Sequence, residues 1–239
     1  MIRRRVVAAL LSMAAATPSL ADGRLFLAGS EIRQRGEHYA YVGALLPLPG
    51  DNRLGQGWVQ RYWLDANRYG YDVSDPARYP VDPQRIRARS SGAEAAIGYH
   101  VTRGPLTVAG YAGLRYADVK FTPDDPGSRV RGANLWPKLQ LDIATPVGSH
   151  WRAQHIAAWT FGLQSYWVRT RWLRATASGV DVGGELVVVG DRDYSALKAG
   201  LVVGALNPVP GATLGFRVGY HVQRAANSPY AGVELVVDF

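Results

Sequence analysis

The last ten residues, 230–239, alternate strictly between two kinds of position. Steps of two back from the end give an unbroken apolar series: Phe239, Val237, Leu235, Val233 and Ala231. The intervening positions include Glu234, Asp238 and Tyr230. Successive side chains of a β-strand point to opposite faces, so this period predicts a strand with one wholly apolar face and one polar face.

A chain that stops on Phe239 after such a strand resembles bacterial outer-membrane β-barrel proteins. That resemblance implies recognition of the terminal strand by the barrel-assembly machinery, which is an expected partner together with outer-membrane lipid. An edge strand of a soluble β-sandwich would alternate in a similar way, and it stays open as the competing interpretation.

The N-terminus has the pattern of a secretory signal. Three arginines at 3–5 precede an apolar run over 6–16, which is too short to span a bilayer as a helix. Ser19-Leu20-Ala21 follows with the small residues that a signal peptidase requires. We therefore expect a signal peptide at 1–21, cleaved near Ala21, and an outer-membrane β-barrel at 22–239. The absence of cysteine excludes a lipid-anchored N-terminus and a disulfide scaffold.

The chain is basic even without its signal. Removing the three signal arginines from 27 basic residues leaves 24, against 19 acidic ones. Such a surplus is typical of nucleic-acid binders. Export, and the scattering of arginines singly along the chain, argue against a nucleic-acid partner. No later apolar run is long enough for a membrane helix, so membrane insertion would require a closed barrel that satisfies all backbone polar groups.

Alternating segments separated by Gly, Pro, Asp and Asn predict an all-β fold: a single antiparallel transmembrane β-barrel of about twelve strands. Its first strand is expected to pair with its last. Ten or fourteen strands also fit, because the first two strands and the 162–165 turn have weak boundaries. The predicted strands are 24–31, 38–46, 57–71, 86–101, 105–120, 130–144, 150–162, 165–177, 181–190, 194–206, 211–223 and 230–239.

The two faces of each strand favour the barrel over the sandwich. In 133–143, Leu135, Leu139 and Leu141 share one face, and Lys138 and Asp142 share the other. Isolated charges among small residues are typical of a barrel lumen. We therefore predict that the leucines face lipid and that the charged residues face inward.

The lengths of the connections predict the orientation. With both termini in the periplasm, most periplasmic turns are short, and the long loops 73–85 and 121–129 face outward. The segment 47–56 is long yet falls on the periplasmic side, where we expect a plug or a partner contact. Pro137 removes a ladder donor, so a local bulge is expected there.

The sequence contains no recognisable catalytic or metal motif. Outer-membrane lipases hold a Ser–His pair on the outer face of the barrel. His100, His150 and His221 fall at strand ends or on the lumen face, and His155 has no serine two or four residues away. No metal or other cofactor is expected. A lipid- or glycan-modifying enzyme stays open as an alternative that an outward-facing Ser–His pair would favour.

Aromatic and charged residues share the predicted inner faces. Proteins bind sugar rings with indole faces and hydrogen-bonding edges, so one set forms candidate glycan contacts: Trp63, Trp136, Trp167, Arg169 and Arg171. Packing of a narrow lumen is the alternative role for these residues. Unpaired buried charges are costly, so the remaining inward charges predict a lumen network: Arg61, Asp65, Lys138, Asp142, Arg217 and Glu234.

Several short motifs resemble one family in their order and spacing. They are Gln60-Arg61-Tyr62-Trp63, Arg68-Tyr69-Gly70-Tyr71-Asp72, Gly110-Tyr111-Ala112-Gly113, Thr122-Pro123-Asp124-Asp125-Pro126, Val130-Arg131-Gly132, Ser165-Tyr166-Trp167, Gly184-Glu185, Gly190-Asp191 with Tyr194, and Lys198-Ala199-Gly200. Together they resemble the BcsS-type accessory proteins of bacterial cellulose biosynthesis.

That resemblance covers nearly the whole mature chain and carries over no catalytic residue. It implies an exported, non-enzymatic barrel that helps to secrete, anchor or organise an exopolysaccharide, with cellulose as the first expectation. Cellulose and other secretion components are the partners that it implies, and biofilm formation is the setting. A small passive pore is a further alternative.

Overall fold

The computed structural model describes residues 23–75, 77, 79, 83–223 and 227–239. The predicted signal peptide and its cleavage site lie outside these residues. Twelve β-strands and one short 3-10 helix, Gln34–Gly36, make up the regular structure of the described residues. None of their helices is long and apolar enough to cross a membrane.

The strands agree with the predicted segments to within a few residues, and 181–190 matches at both ends. Their bounds are β1 Leu25–Arg33, β2 Glu37–Pro47, β3 Gly57–Val73, β4 Gln84–Arg103, β5 Leu106–Thr122, β6 Gly132–Val147, β7 Trp151–Thr160, β8 Ser165–Ala175, β9 Asp181–Gly190, β10 Ser195–Val209, β11 Ala212–Gln223 and β12 Ser228–Asp238.

The strands form a closed barrel in which each pairs antiparallel with its neighbours in the chain. β1 closes the ring against β12 over nine residue pairs, from Leu25 opposite Asp238 to Arg33 opposite Tyr230. Closure leaves no unpaired sheet edge, which confirms the predicted fold class and the strand number of twelve. We call the end that carries both termini the termini end, and the opposite end the loop end.

The alternation assigns the faces as predicted. Leu135, Leu139 and Leu141 in β6 are 60%, 49% and 45% exposed, and they point outward. Lys138 and Asp142 point inward, where they line the lumen. The apolar faces therefore form an outward band, and the charged faces lie inside, as expected for a barrel surrounded by lipid.

The bulge predicted at Pro137 is wrong. Pro137 lies opposite Leu114 in an unbroken β5–β6 register. The β6–β7 ladder ends one residue later along β6, at Lys138 opposite Thr160, and the Pro137 carbonyl accepts a hydrogen bond from Phe161 N–H at 3.0 Å. The missing donor thus falls at the end of a ladder, where its loss costs little. The register shifts lie instead in β10, between Val203 and Val209.

Candidate functional site

The lumen contains a cavity of about 1220 Å³. Ligand pockets in proteins commonly measure roughly 300–1,000 Å³, so this space is large enough for an extended oligomeric ligand. Its wall begins near Leu45 and Ala144, close to the termini end. It continues to Arg129 and Asp193, in loops at the loop end, and the Arg129 side chain is 63% exposed there. The cavity therefore opens at the loop end.

A packed apolar layer closes the termini end. The loop 48–56 between β2 and β3 folds back and buries Leu54, which is 1% exposed. Leu54 packs in a cluster whose other buried members are Leu25, Leu45, Val59, Ala109, Tyr111 and Val236, from five different strands. The opposite part of the wall also has buried inward side chains near this end, from Leu173, Asp181, Val202 and Ala205. The long segment at the termini end is thus a plug.

His100 holds this plug loop in place. The backbone N–H of Gly55 donates to His100 Nδ1 at 3.1 Å, and His100 Nε2 lies 2.7 Å from the Tyr111 hydroxyl. Because Nδ1 accepts a hydrogen bond, the ring proton sits on Nε2 and the imidazole is neutral. The Thr102 hydroxyl also donates to the Gly55 carbonyl, at 2.8 Å. The loop therefore has polar attachments in addition to its apolar anchor.

One charge network occupies the wall formed by β3 to β6. Glu94 in β4 bridges Arg61 in β3 and Lys138 in β6. Arg115 in β5 binds both oxygens of Asp65 in β3, at 2.8 and 3.0 Å. Such paired contacts compensate carboxylates and cations that are largely removed from water.

Asp142 lies beside this network and forms no ion pair with a residue that the structure describes. Among the described residues, its recorded partner is the Gln140 side-chain amide, which donates at 2.8 Å. The amide satisfies one carboxylate oxygen while leaving the charge of Asp142 uncompensated by a direct cation contact.

A second network spans β8 to β12 and reaches β1. Arg171 binds both oxygens of Glu234 at 2.9 and 3.0 Å, and its Nε donates to Glu185 at 2.6 Å. Arg217 lies within 4 Å of both carboxylates. The Arg169 guanidinium lies 3.5 Å from Glu234.

Glu31 in β1 extends this second network across the barrel closure. Lys198 in β10 donates to Glu31 at 2.5 Å, and Arg217 in β11 lies 3.2 Å from it. Arg33 approaches the same carboxylate at 3.6 Å. The ion pairs thus join strands that are not neighbours in the sheet, and they tie together the half of the wall that includes the closure.

Aromatic rings lie between the two networks on opposite sides of the lumen. Tyr41 in β2 stacks on Trp63 in β3, with ring centroids 4.5 Å apart. Gly43 allows this, because a Cβ at that position would overlap the Trp63 ring. On β8, six strands away from β2 in a ring of twelve, Trp167 lies 5.1 Å from the Arg169 guanidinium. Trp63 and Trp167 both line the cavity.

Trp136 does not line the cavity, although alternation places it on the face of Lys138. It sits at the loop end and is 39% exposed. Its indole lies over Gly162 in the β7–β8 turn, where any Cβ would collide with the ring. Trp136 therefore does not occupy the predicted position of a glycan contact in the cavity, because its indole packs on Gly162 above the lumen.

Two loops join over the mouth of the cavity. Asp193, between β9 and β10, accepts hydrogen bonds from the Arg129 backbone N–H at 2.7 Å, Arg129 Nε at 2.9 Å and the Ser128 hydroxyl at 2.9 Å. Burial opposes ionisation of Asp193, but these donors outweigh it and hold the pKa of Asp193 below its ordinary value. Burial raises the pKa of its neighbour Asp191. We call the Ser128, Arg129 and Asp193 contacts the mouth clamp.

The outer face carries two hydroxyl–imidazole pairs that the sequence analysis missed. Ser30 Oγ in β1 lies 2.9 Å from His38 Nε2 in β2, and both point outward near the loop end. Thr170 Oγ1 lies 2.8 Å from His155 Nδ1 across β7 and β8. Within the described residues, His38 contacts no carboxylate. A sequence signal was available for the Ser30–His38 pair, because the short connection between β1 and β2 brings these two residues, eight positions apart in the chain, close together.

The sequence analysis also did not place Glu31, Arg115 or Lys198 in the lumen network. Arg115 lies two residues after Gly113 in β5, so both occupy the same face of the strand. Alternation from Gly113, on the inner face, would therefore have placed Arg115 in the lumen. Glu31 and Lys198 required the barrel closure to bring β1 near β10. No group of metal-ligating side chains occurs among residues that the structure describes.

Comparison with solved structures places the fold among outer-membrane barrels. The KdgM porin, in complex with disordered oligogalacturonate, matches with a TM-score of 0.54 and 10% identity, over 90% of this chain and 99% of that one. The translocator domain of the autotransporter NalP from Neisseria meningitidis matches with a TM-score of 0.50 and 12% identity, over 99% and 94%. These likenesses concern the fold.

Comparison of sequences identifies the family. No curated protein matches the chain. The family model described as cellulose biosynthesis protein BcsS matches residues 25–239, which includes all twelve strands and both ends of the closed ring. The resemblance inferred from the short motifs is confirmed, and the chain belongs to the family of the cellulose biosynthesis protein BcsS.

Proposed function

We propose that this protein is a non-enzymatic outer-membrane accessory of cellulose biosynthesis, whose lumen binds a glucan segment at the cell surface. The observation that carries the proposal is a cavity that is packed shut at the termini end and opens at the loop end. With the termini in the periplasm, such a cavity faces outward. It suits anchoring or organising an extracellular polymer better than conducting one across the membrane.

The charge balance of the cavity wall favours a neutral ligand. Among the described residues, nine acidic and nine basic side chains line it. A polyanion would meet as many repulsive as attractive groups, and binding it would require separating existing ion pairs. A neutral glucan has hydroxyls that hydrogen-bond to either sign of charge and CH faces that stack on Trp63 and Trp167.

Binding of soluble cello-oligosaccharide to the purified barrel tests the ligand. Trp167→Ala should weaken binding about tenfold, the equivalent of about 1.4 kcal/mol, because it removes one stacking surface. Trp136→Ala is the matched control, since its indole lies outside the cavity. Equal affinity for wild type and Trp167→Ala, with both folded, would leave Trp167 as packing. Binding of oligogalacturonate as tightly as cello-oligosaccharide would contradict the charge argument.

The cellular role is tested by gene deletion with Congo red or calcofluor staining. We expect reduced attachment of cellulose to the cell surface, with synthesis of the polymer continuing. Normal output and normal attachment in the deletion strain would reject the proposal, whatever the purified barrel binds.

The Ser30–His38 pair favours a second candidate function, hydrolysis of an acyl ester of a membrane lipid. A serine hydroxyl 2.9 Å from an imidazole nitrogen has the geometry for proton transfer to the imidazole during nucleophilic attack. Labelling by a lipophilic fluorophosphonate tests this candidate. Modification of wild type but not of Ser30→Ala or His38→Ala would support it, with His155→Ala as the control. Absence of labelling in the folded protein would reject it.

A further inference from the structure

A row of cationic side chains crosses three neighbouring strands on the outer face. Arg68 in β3 lies directly opposite Arg89 in β4, and Arg89 lies directly opposite Lys120 in β5. All three are exposed and share the outward face. Arg87, two residues along β4 towards the loop end, adds a fourth exposed cation on the same face. We call Arg68, Arg87, Arg89 and Lys120 the cationic row.

Three of the four cations in the row have no counter-charge among the described residues. Directly opposite residues in an antiparallel sheet have Cβ atoms roughly 4.5–5.5 Å apart, and like charges at that spacing are destabilising. Lys120 pairs with Asp118 at 3.2 Å. Arg68, Arg87 and Arg89 form no ion pair with any described residue. An arrangement that repels itself in the free barrel is stabilised by an anion bound between the side chains.

The position of the row corresponds to the headgroup level of the membrane. Trp58 packs edge-on against Tyr99 at the termini end of the same strands, as aromatic residues do at a membrane interface. Arg68 follows Trp58 by ten residues, about 34 Å along the strand. At a strand tilt of about 40° this is roughly 26 Å along the barrel axis, close to the height of about 25 Å for an outer-membrane apolar band.

Ala66, Ser91 and Asp118 form the outward row directly below the cationic row, and the row below them is apolar. Leu64, Ala93 and Tyr116 lie opposite one another in this lower row. Each is four residues along its strand from the cationic row, towards the membrane centre. Leu64 and Tyr116 are 57% and 41% exposed, so they present an apolar surface to acyl chains. Cations above an apolar wall match an amphiphile that has anionic groups at the head of its acyl chains.

We propose that the cationic row binds the phosphate groups of a phosphorylated glycolipid in the outer leaflet. The planar guanidinium groups of Arg68 and Arg89 bind phosphate oxygens bidentately, and Lys120 supplies a point charge beside them. The acyl chains of the lipid lie along Leu64 and Tyr116. This site depends on the orientation with the termini in the periplasm, but it does not depend on glucan binding in the lumen.

The experiment uses the full-length purified barrel in neutral detergent. Its affinity is measured for a diphosphorylated glycolipid, for the same glycolipid without phosphates, and for inorganic phosphate. We expect the diphosphorylated form to bind at least tenfold more tightly than the dephosphorylated form. Its affinity should fall with added salt, because the interaction is between exposed charges. Inorganic phosphate should bind far more weakly, since it lacks the acyl chains.

The variant Arg68→Gln/Arg89→Gln/Lys120→Gln should bind the diphosphorylated glycolipid at least tenfold more weakly than wild type. Arg174→Gln, which removes an exposed cation at the termini end of β8, is the matched control and should bind like wild type. In lipid-free detergent the triple variant should be at least as stable as wild type, because it removes repulsion between like charges. If the triple variant does not fold, Arg89→Gln alone removes the central charge, and we expect it to weaken binding about fivefold.

Three results would overturn the proposal. They are equal binding of the phosphorylated and dephosphorylated glycolipids, undiminished binding by the folded variants, and binding of inorganic phosphate as tight as that of the glycolipid. The last result would identify a general anion site instead of a lipid site. Failure of cello-oligosaccharide binding would leave this inference unaffected, so the two proposals fail separately.

Discussion

Replacing Glu234 by glutamine tests whether the second charge network holds the barrel together. Glu234 is 3% exposed and contacts three arginines, with Arg171 bound through both carboxylate oxygens. Glu234→Gln keeps the shape of the side chain but leaves those cations with one carboxylate fewer. Removing one partner of a buried ion pair typically costs about 3–5 kcal/mol. Arg171 retains Glu185, so we expect about 3 kcal/mol, at the lower end of that range.

The measurement is the free energy of unfolding in urea, followed by tryptophan fluorescence of the barrel in lipid vesicles. Asp72→Asn is the control, because Asp72 forms a 3.2 Å ion pair with Arg85 in which both side chains are partly exposed. Exposed pairs contribute roughly 0–1 kcal/mol. A loss for Glu234→Gln no larger than that for Asp72→Asn would refute the assignment of a dry, structural network. It would indicate instead that water in the lumen screens these charges.

Three further predictions concern the plug, the mouth and the aromatic wall. Deleting 49–56, which removes Leu54, should create ion conductance in planar bilayers that wild type lacks; a conducting wild type would contradict the closed floor. Since the pKa of Asp193 is lowered, the mouth clamp is intact above the ordinary aspartate pKa of about 3.9 and is lost as pH falls through the lowered value. A fluorophore in 123–131 should therefore become accessible to a quencher only under strongly acidic conditions in wild type, but already at neutral pH in Arg129→Gln; identical profiles would exclude the clamp. Gly43→Val should displace Trp63 and weaken cello-oligosaccharide binding severalfold, and unchanged affinity would remove that wall from the proposed site.

The sequence alone determined the strands and their two faces. The period of two is a local property, because each residue's direction follows from the pleat of its own strand. It placed Leu135 outside and Lys138 inside before any pairing was known. The same local pattern placed Trp63 and Trp167 in the lumen, where both line the cavity. The order and spacing of the short motifs were sufficient to identify the family.

The tertiary structure decided what depends on register, closure and loop path. Ser30 meets His38, and Arg68 meets Arg89, only because strand register sets them side by side. Glu31 reaches Lys198 only because the ring closes. The plug required a loop to fold back into the lumen, and an adjacent glycine turn drew Trp136 out of it. Alternation specifies which face a side chain occupies, but not its height on the barrel or its neighbour across the strand, so alternation alone could not predict these contacts.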